Sequence, residues 1–169
     1  MRGSLTAACI AMLVFIFSNS LKTGEESAEQ SLAVVDTVQK VAAVVAPNST
    51  IATATGSAYE RLHMIVRSVA HFAEFALLGA LLLWCAASYT LEKEGLLISL
   101  PLALAVPMID ETLQYFVANR GAEWKDVCID MAGGVMGIMF ALLTVILGLH
   151  IYKKRKKMCA EATRVVKKE

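Results

Sequence analysis

The chain has 169 residues and a formal net charge of +1, and 57% of its residues are hydrophobic. Its mean hydropathy is +0.59, and the apolar residues come in blocks, which is typical of an integral membrane protein and excludes an ordinary soluble domain. The small net charge, with basic residues gathered in the C-terminal tail, argues against nucleic-acid binding.

The first apolar block runs from Leu5 to Phe17, behind a basic start at Arg2. Its length and basic flank also suit a cleaved secretory signal peptide. However, Ser18-Asn19-Ser20 does not offer a small-x-small cleavage site, and further apolar blocks follow. We therefore interpret this block as a retained signal-anchor helix.

The segment from Ser18 to Val66 is polar to amphipathic and predicts one surface helix. Thr23-Gly24-Glu25-Glu26 fits a capping box, in which a side-chain acceptor precedes Glu by three residues. Pro47-Asn48 ends the pattern. We expect this helix to lie on the bilayer or on the bundle. Its apolar residues recur at about helical spacing, at Leu32, Val35, Val38, Ala42 and Val45.

A second capping box, Ser57-Ala58-Tyr59-Glu60, opens the next helix. This helix contains Arg67, His71 and Glu74, which are spaced by four and three residues and therefore share one face. Charges cost free energy in hydrocarbon, so this face is expected to point into protein or a water-filled cavity. A polar turn is predicted from Tyr89 to Gly95.

The third apolar block, Leu96 to Ile109, has 14 residues. At 1.5 Å per residue it covers about 21 Å, short of the roughly 30 Å hydrocarbon core. To span, the helix must continue past Ile109, which draws Asp110, Glu111 and Gln114 into the edge of the membrane. Pro107 predicts a kink nearby.

The last span follows a turn at Asn119-Arg120-Gly121. Asp126 stands at its start, and two interpretations stay open, a plain N-cap carboxylate or a member of a site. Asp130 lies one turn deeper and is not explained by capping. Gly133 and Gly137 follow at small-xxx-small spacing, which predicts close helix contact.

The predicted fold is all-α, a four-helix transmembrane bundle with an amphipathic helix in the first extracytoplasmic loop. Residues 1–151 form the membrane domain, with spans at about 4–18, 67–88, 96–117 and 127–151, and residues 152–169 form a basic cytoplasmic tail. The lysine and arginine cluster of the tail predicts that both termini are cytoplasmic in the cell membrane. The segment Lys22–Val66 and the turn at Arg120 are then outside, and Glu92 is inside.

This topology brings the polar groups of three spans to one depth on the outer side. Five carboxylates cluster there, and in low dielectric they cannot all stay ionised without compensation. They therefore share protons or bind a divalent cation, for which oxygen ligands favour Mg²⁺, Ca²⁺ or Mn²⁺. The alternative is a salt-bridge network that holds the helices in register. The metal hypothesis names as ligands Asp110, Glu111, Asp126 and Asp130.

Three stretches of this sequence resemble motifs of the VanZ-like family of bacterial membrane proteins: HFAEFALLG at His71–Gly79, DETLQYFVANR at Asp110–Arg120 and DVCIDMAGGVMG at Asp126–Gly137. The resemblance covers Ser18 to Gly137. Phe75 stands where the family commonly has Tyr, and Asp130 where Asn is more usual. The family's name comes from a member associated with resistance to the glycopeptide antibiotic teicoplanin. The resemblance therefore implies a contribution of this protein to such resistance, as an expectation.

The leading functional hypothesis is action at the outer leaflet on a lipid or lipid-linked envelope precursor, with a contribution to glycopeptide resistance. Whether the protein is an enzyme stays open, because no nucleophile motif stands out. The candidate catalytic residues are His71, Glu74, Asp110 and Glu111, with His71 as acid or base. The candidate ligand-binding residues are Arg67, Gln114 and Arg120, the arginines as phosphate clamps. The alternatives are a proton-coupled transporter or relay, and a structural partner protein that packs another membrane helix against Gly133 and Gly137.

Overall fold

A computed structural model describes residues 2–90 and 92–166, and the side chains of these except residues 92, 93 and 159–166. It contains five helices and, over the described residues, no strand. The helices are α1 (Arg2–Ser20), α2 (Gly24–Val45), α3 (Ser57–Tyr89), α4 (Glu92–Tyr115) and α5 (Trp124–Val166). Within these ranges α1, α3, α4 and α5 are long and apolar enough to cross a membrane. The all-α prediction with four spans is confirmed.

The capping box predicted for the first loop is present. The amide of Glu26 donates to Thr23 Oγ1 at 3.3 Å, and the amide of Thr23 donates to Glu26 Oε2 at 2.9 Å. The second predicted box is wrong, because α3 begins after Gly56, which has a φ of 53° and gives no side-chain cap. Glycine adopts a positive φ at little cost, so Ser57 becomes the first helical residue instead of the cap.

Two helices are longer than the spans predicted from hydropathy. Helix α3 begins at Ser57, where the sequence predicted a helix start, ten residues before the predicted span at 67–88. Helix α5 continues past Ile151 through the basic run. At 1.5 Å per residue the 43 residues of α5 cover about 65 Å, roughly twice the hydrocarbon core. The basic run is therefore a helical extension of the last span. The predicted turn at Tyr89–Gly95 is shorter than expected, because α3 includes Tyr89 and α4 begins at Glu92. Leu91, the side chain of Glu92, and Lys167 and Lys168 in the tail lie outside the described residues.

Glycines bring α3 and α5 together. A Cβ atom at Gly133 would meet the carbonyl oxygen of Phe72, and one at Gly137 would meet that of Ala76. The predicted close contact is confirmed, and the partner is another helix of the same chain. Because α3 covers both glycines, this face is not free for a helix from another protein.

The apolar core falls into two clusters. One joins Ile16, Phe75, Leu78 and Val106 from α1, α3 and α4. The other lies nearer the end of the bundle where α3 finishes, and it consists of Ala80, Leu83, Ala103, Ile138 and Ala141. The second cluster is made of small and medium side chains, which suits the close approach of α3 and α5.

Helix α2 packs on α3 through one face. Val35 is fully buried, the hydroxyl of Tyr59 donates to Asp36 Oδ1 at 2.8 Å, and Ser31 contacts His63 at 2.6 Å. Its opposite face is not purely polar, because Val34, Val41, Val44 and Val45 are all exposed. The predicted helix is present, with apolar residues on both faces, and its position outside the membrane stays a prediction.

Candidate functional site

Polar residues gather at one end of the bundle, where α1 and α4 finish and α5 begins; we call this the polar end. Five polar side chains of this end are at most 5% exposed: Ser20, Asp110, Glu111, Gln114 and Asp130. Four of these were predicted as site residues from sequence, and Ser20 was not. Burying such groups is costly unless they are hydrogen-bonded, so their partners define what the polar end does.

Asp110 joins α1 to α4. Its Oδ1 accepts a hydrogen bond from the hydroxyl of Ser20, and its Oδ2 accepts one from Gln114 Nε2 at 2.8 Å. The Ser20 oxygen is also 3.1 Å from the carbonyl oxygen of Ile16. Both carboxylate oxygens therefore have a donor, and a buried polar network of this kind is stable when its members are satisfied.

Arg120 closes the end of α1. Its Nη1 donates to the carbonyl oxygens of Asn19 and Ser20, each at 3.1 Å, and its Nη2 donates to Ser27 Oγ at 3.2 Å. The last carbonyls of a helix lack intrahelical partners and carry the negative end of its dipole. Burial, followed by the neighbouring charge of Arg67, lowers the pKa of Arg120. Two of its nitrogens are thus already engaged within the chain.

Two acid–base pairs connect α3 and α5 one turn apart. Arg67 Nη2 lies 3.8 Å from Asp126 Oδ2, and His71 Nδ1 lies 3.7 Å from Asp130 Oδ1. The spacing of four residues is the same on both helices, so they run parallel here. Both distances exceed a hydrogen bond, and His71 Nδ1 and Asp130 Oδ1 are buried without a hydrogen-bond partner.

Glu111 caps α5 from α4. Its Oε1 accepts the amide N–H of Glu123 at 2.5 Å, and Glu123 directly precedes the first residue of α5. Asp126 is the third residue of that helix and lies in its first turn, so the plain N-cap interpretation of Asp126 is wrong. The neighbours Asp110 and Glu111 therefore serve different helices, α1 and α5.

A cleft of about 290 Å³ opens between α1, α2 and α3. Four ionisable side chains line it, and three are basic or can become so. Lys22 Nζ is held by the amide oxygens of Asn19 at 2.8 Å and Gln30 at 3.1 Å. The ionisable lining residues are Lys22, Arg67, His71 and Glu74, and the others include Phe15, Ser31 and Val34.

The structure separates the four carboxylates of the metal hypothesis. Asp110 is bound by Ser20 and Gln114, and Glu111 by the backbone of Glu123. Over the residues that the structure describes, no three His, Cys, Asp or Glu side chains are grouped so that they could hold a metal ion. The divalent-cation site stays a prediction to which this geometry gives no support.

Sequence reasoning missed several residues of the polar end, among them Lys22, which lines the cleft, and three serines. Ser20 and Ser27 are short polar side chains beside a helix terminus, where such residues are common for local reasons. Ser31 contacts His63 Nε2 at 2.6 Å across α2 and α3. The signal for Ser20 was its place in the polar segment Ser18-Asn19-Ser20, directly after the first apolar block.

The fold and the polar end together define a multi-pass α-helical membrane protein with a buried, acid-rich network at one end of its bundle. The family model for VanZ/LLP1 matches residues 5–147. The chain belongs to the VanZ/LLP1 family. The match includes every residue of the polar end and stops before the basic extension of α5. Neither a curated protein nor a solved structure matches the chain.

The two departures from the family pattern have different surroundings. Phe75 is 1% exposed and packs in the apolar cluster with Ile16 and Leu78, so its ring needs no polar partner. Asp130 is also 1% exposed, and it faces His71. The extra charge at residue 130 therefore has an ionisable neighbour.

Proposed function

We propose that the protein binds a phosphate-bearing lipid or lipid-linked glycan at the outer leaflet of the cell membrane, with the cleft between α1, α2 and α3 as the headgroup site. The observation that carries this proposal is the charge of the cleft. Lys22, Arg67 and His71 line the cleft with a single carboxylate, Glu74. Asp126 and Asp130, which approach Arg67 at 3.8 Å and His71 at 3.7 Å, are not part of its lining.

The charge of Lys22 is free to attract an anion. Its ammonium group donates to two neutral amide oxygens, those of Asn19 and Gln30, which orient it without neutralising it. Arg67 is only loosely paired with Asp126 at 3.8 Å, and its Nε has no hydrogen-bond partner. Lysine and arginine at such positions are the usual ligands of phosphate.

The lining of the cleft also suits an amphiphile. Phe15 on α1 and Val34 on α2 add apolar surface next to the basic groups, and both are about half exposed. A phosphate close to apolar surface at one end of a membrane bundle matches the arrangement of a lipid headgroup and the first part of its chains.

The buried network behind the cleft supports this site. Arg120 fixes the end of α1 and contacts Ser27 of α2, while Asp110 fixes α1 to α4. These contacts hold α1, α2 and α4 around the turn between α1 and α2 that carries Lys22, and a binding site works best when its frame is rigid. In this proposal Asp110, Gln114 and Arg120 position the site and do not touch the ligand.

Binding is the function that the geometry favours over catalysis. A nucleophile needs a hydroxyl or thiol that a neighbouring base can deprotonate. Ser31 contacts His63, but its oxygen also lies 3.0 Å from the carbonyl oxygens of Ser27 and Ala28. The Ser31 hydroxyl thus has backbone acceptors in addition to His63 Nε2, and the tautomer of His63 sets which of the two side chains donates. His71 and Glu74 remain candidate acid–base groups if chemistry occurs.

A proton relay is less well supported. Its groups must be distributed across the membrane, whereas the cluster formed by Ala80, Leu83, Ala103, Ile138 and Ala141 is apolar. The buried carboxylates of the described residues lie at the polar end instead.

Retention of a lipid or lipid-linked precursor in the cleft would alter the surface that a glycopeptide antibiotic meets. This is the proposed route to teicoplanin resistance.

The test compares lipid binding by Lys22→Gln with that of Lys40→Gln, a matched change on the exposed part of α2. Purified proteins in nanodiscs are offered phosphatidylglycerol and phosphatidylcholine, and bound lipid is quantified. We expect Lys22→Gln alone to lose the preference for the anionic lipid. Equal preference in all proteins, with unchanged envelope lipids and teicoplanin susceptibility in cells that lack the protein, would contradict the proposal.

A further inference from the structure

A second pocket, of about 320 Å³, lies between the end of α4 and the start of α5. It shares no lining residue with the cleft. Two carboxylates line it, those of Glu111 and Glu123, and its lining contains no Lys, Arg or His. Its charge is thus opposite to that of the cleft, so a ligand that suits one does not suit the other.

The carboxylate of Glu111 is only half satisfied. One oxygen accepts the amide N–H of Glu123 at 2.5 Å, while Oε2 is buried and has no hydrogen-bond partner. The residue is 5% exposed. A buried acceptor without a donor is costly, so Glu111 Oε2 marks the place where a ligand would supply an N–H or O–H group.

Aromatic rings surround this acceptor. Tyr115, Phe116 and Trp124 line the pocket and are each more than 60% exposed. Exposed aromatic residues near the end of a spanning helix sit at the level of lipid headgroups, and the faces of their rings attract organic cations. Met108, which also lines the pocket, is 49% exposed, so the pocket continues onto the apolar outward face of α4.

These features select among the cations that two carboxylates would attract. Among the described residues no three His, Cys, Asp or Glu side chains are grouped so that they could hold a metal ion, whereas aromatic walls suit an organic cation. A quaternary ammonium has no N–H for Glu111 Oε2, whereas a primary ammonium has three. We propose that this pocket binds the primary ammonium headgroup of an outer-leaflet lipid, with Glu111 Oε2 accepting an N–H from it.

The experiment uses the intrinsic fluorescence of Trp124. The chain has two tryptophans, and Trp84→Phe leaves Trp124 as the only one. The protein is placed in nanodiscs that contain acyl-brominated lipids, whose bromine quenches a nearby tryptophan. The headgroups form a series from ethanolamine through its mono- and dimethyl forms to choline, which removes N–H donors while the chains stay the same. We expect association to fall along the series, by roughly tenfold between its ends, the effect of one charge-assisted hydrogen bond.

A charge-matched pair of variants locates the effect. Glu111→Gln should remove the preference for ethanolamine, whereas Glu29→Gln, an exposed change on α2, should leave it intact. If Glu111→Gln does not insert into the membrane, the headgroup series on the Trp84→Phe protein still tests whether the pocket prefers a primary ammonium. Equal quenching by ethanolamine and choline lipids would overturn the proposal. Equal quenching by glycerol and ethanolamine headgroups would do the same, because a hydroxyl donor would then suffice.

A third result would also overturn the proposal. If no lipid quenches Trp124 and the protein is dimeric by light scattering, a second copy covers the pocket.

The quenching experiment is independent of the test of the cleft. It depends on Glu111 and an amine headgroup, whereas the test of the cleft depends on Lys22 and an anionic lipid. Failure of one proposal therefore leaves the other to be judged on its own result.

Discussion

The hydroxyl of Ser20, the last residue of α1, donates to the carboxylate of Asp110 on α4, although 90 residues separate them in the chain. This contact is buried, and it joins the first and third spans at the polar end. It gives Asp110 a structural task that its charge alone did not reveal.

Ser20→Ala should destabilise the bundle. The change leaves a buried oxygen of Asp110 without its donor, which costs about 1–3 kcal/mol. Thermal unfolding in detergent measures it, with Thr37→Ala as the control, since Thr37 is exposed on α2 and bonds only within that helix. Equal stability losses in the two variants would show that the buried hydrogen bond of Ser20 contributes no more to stability than the exposed one of Thr37.

Glu111→Gln should fold and insert with a change in stability of less than about 1 kcal/mol. The glutamine oxygen can still accept the amide N–H of Glu123, so the cap of α5 is kept. Circular dichroism melting in detergent checks this outcome. A loss near 3–5 kcal/mol, as for a broken buried ion pair, would mean that the charge of Glu111 neutralises a buried cation.

Asp130→Asn should be tolerated. It restores the residue that the family usually carries, and the amide can still reach His71. Teicoplanin susceptibility of cells that express this variant should match that of cells with the original protein. Loss of function with normal expression would show that the charge of Asp130 has its own task, through its approach of 3.7 Å to His71.

The capping box of α2 predicts a pH effect in the first loop. Hydrogen bonds from the backbone and side chain of Thr23 lower the pKa of Glu26 below its ordinary value of 4.5. A lowered pKa in the folded state stabilises the helix start above pH 4.5, and this contribution is lost as the pH falls through the lowered pKa. In Glu26→Gln the side chain can still cap the helix, but it has no carboxyl group that titrates.

Hydrogen exchange at the start of α2 measures this effect. Protection in the original protein should fall on acidification to below pH 4.5, whereas protection in Glu26→Gln should change less. The difference between the two proteins isolates Glu26 from the buried carboxylates, which also respond to acid. The same fall in both proteins would refute the prediction.

The orientation in the membrane is open to a direct test. Cysteines placed at Thr53 and Glu92 in a cysteine-free background should differ, because the first is expected outside and the second inside. A membrane-impermeant thiol reagent on intact cells should label Thr53→Cys alone. The reverse pattern would place the polar end at the inner leaflet and remove the basis of both outer-leaflet proposals.

The sequence by itself determined the helical class, the four spans and four of the five buried polar residues of the polar end. Hydropathy blocks are long enough to span, and charges within such blocks are too costly to be placed without a partner. The shortness of the block Leu96–Ile109 was sufficient to predict that the helix continues through Asp110 and Glu111 at the edge of the membrane, and the structure buries both.

Only the tertiary structure decided which group meets which. Asp110 and Glu111 are adjacent in sequence, yet one binds Ser20 of α1 and the other caps α5. Arg120 was expected to hold a phosphate, which stays a prediction, and its Nη1 contacts the last carbonyls of α1. Helical periodicity fixes the face on which a residue lies, but the rotation and depth of neighbouring helices follow from packing, here from the glycine contacts of α3 with α5. Partners at that distance in sequence cannot be derived from spacing alone.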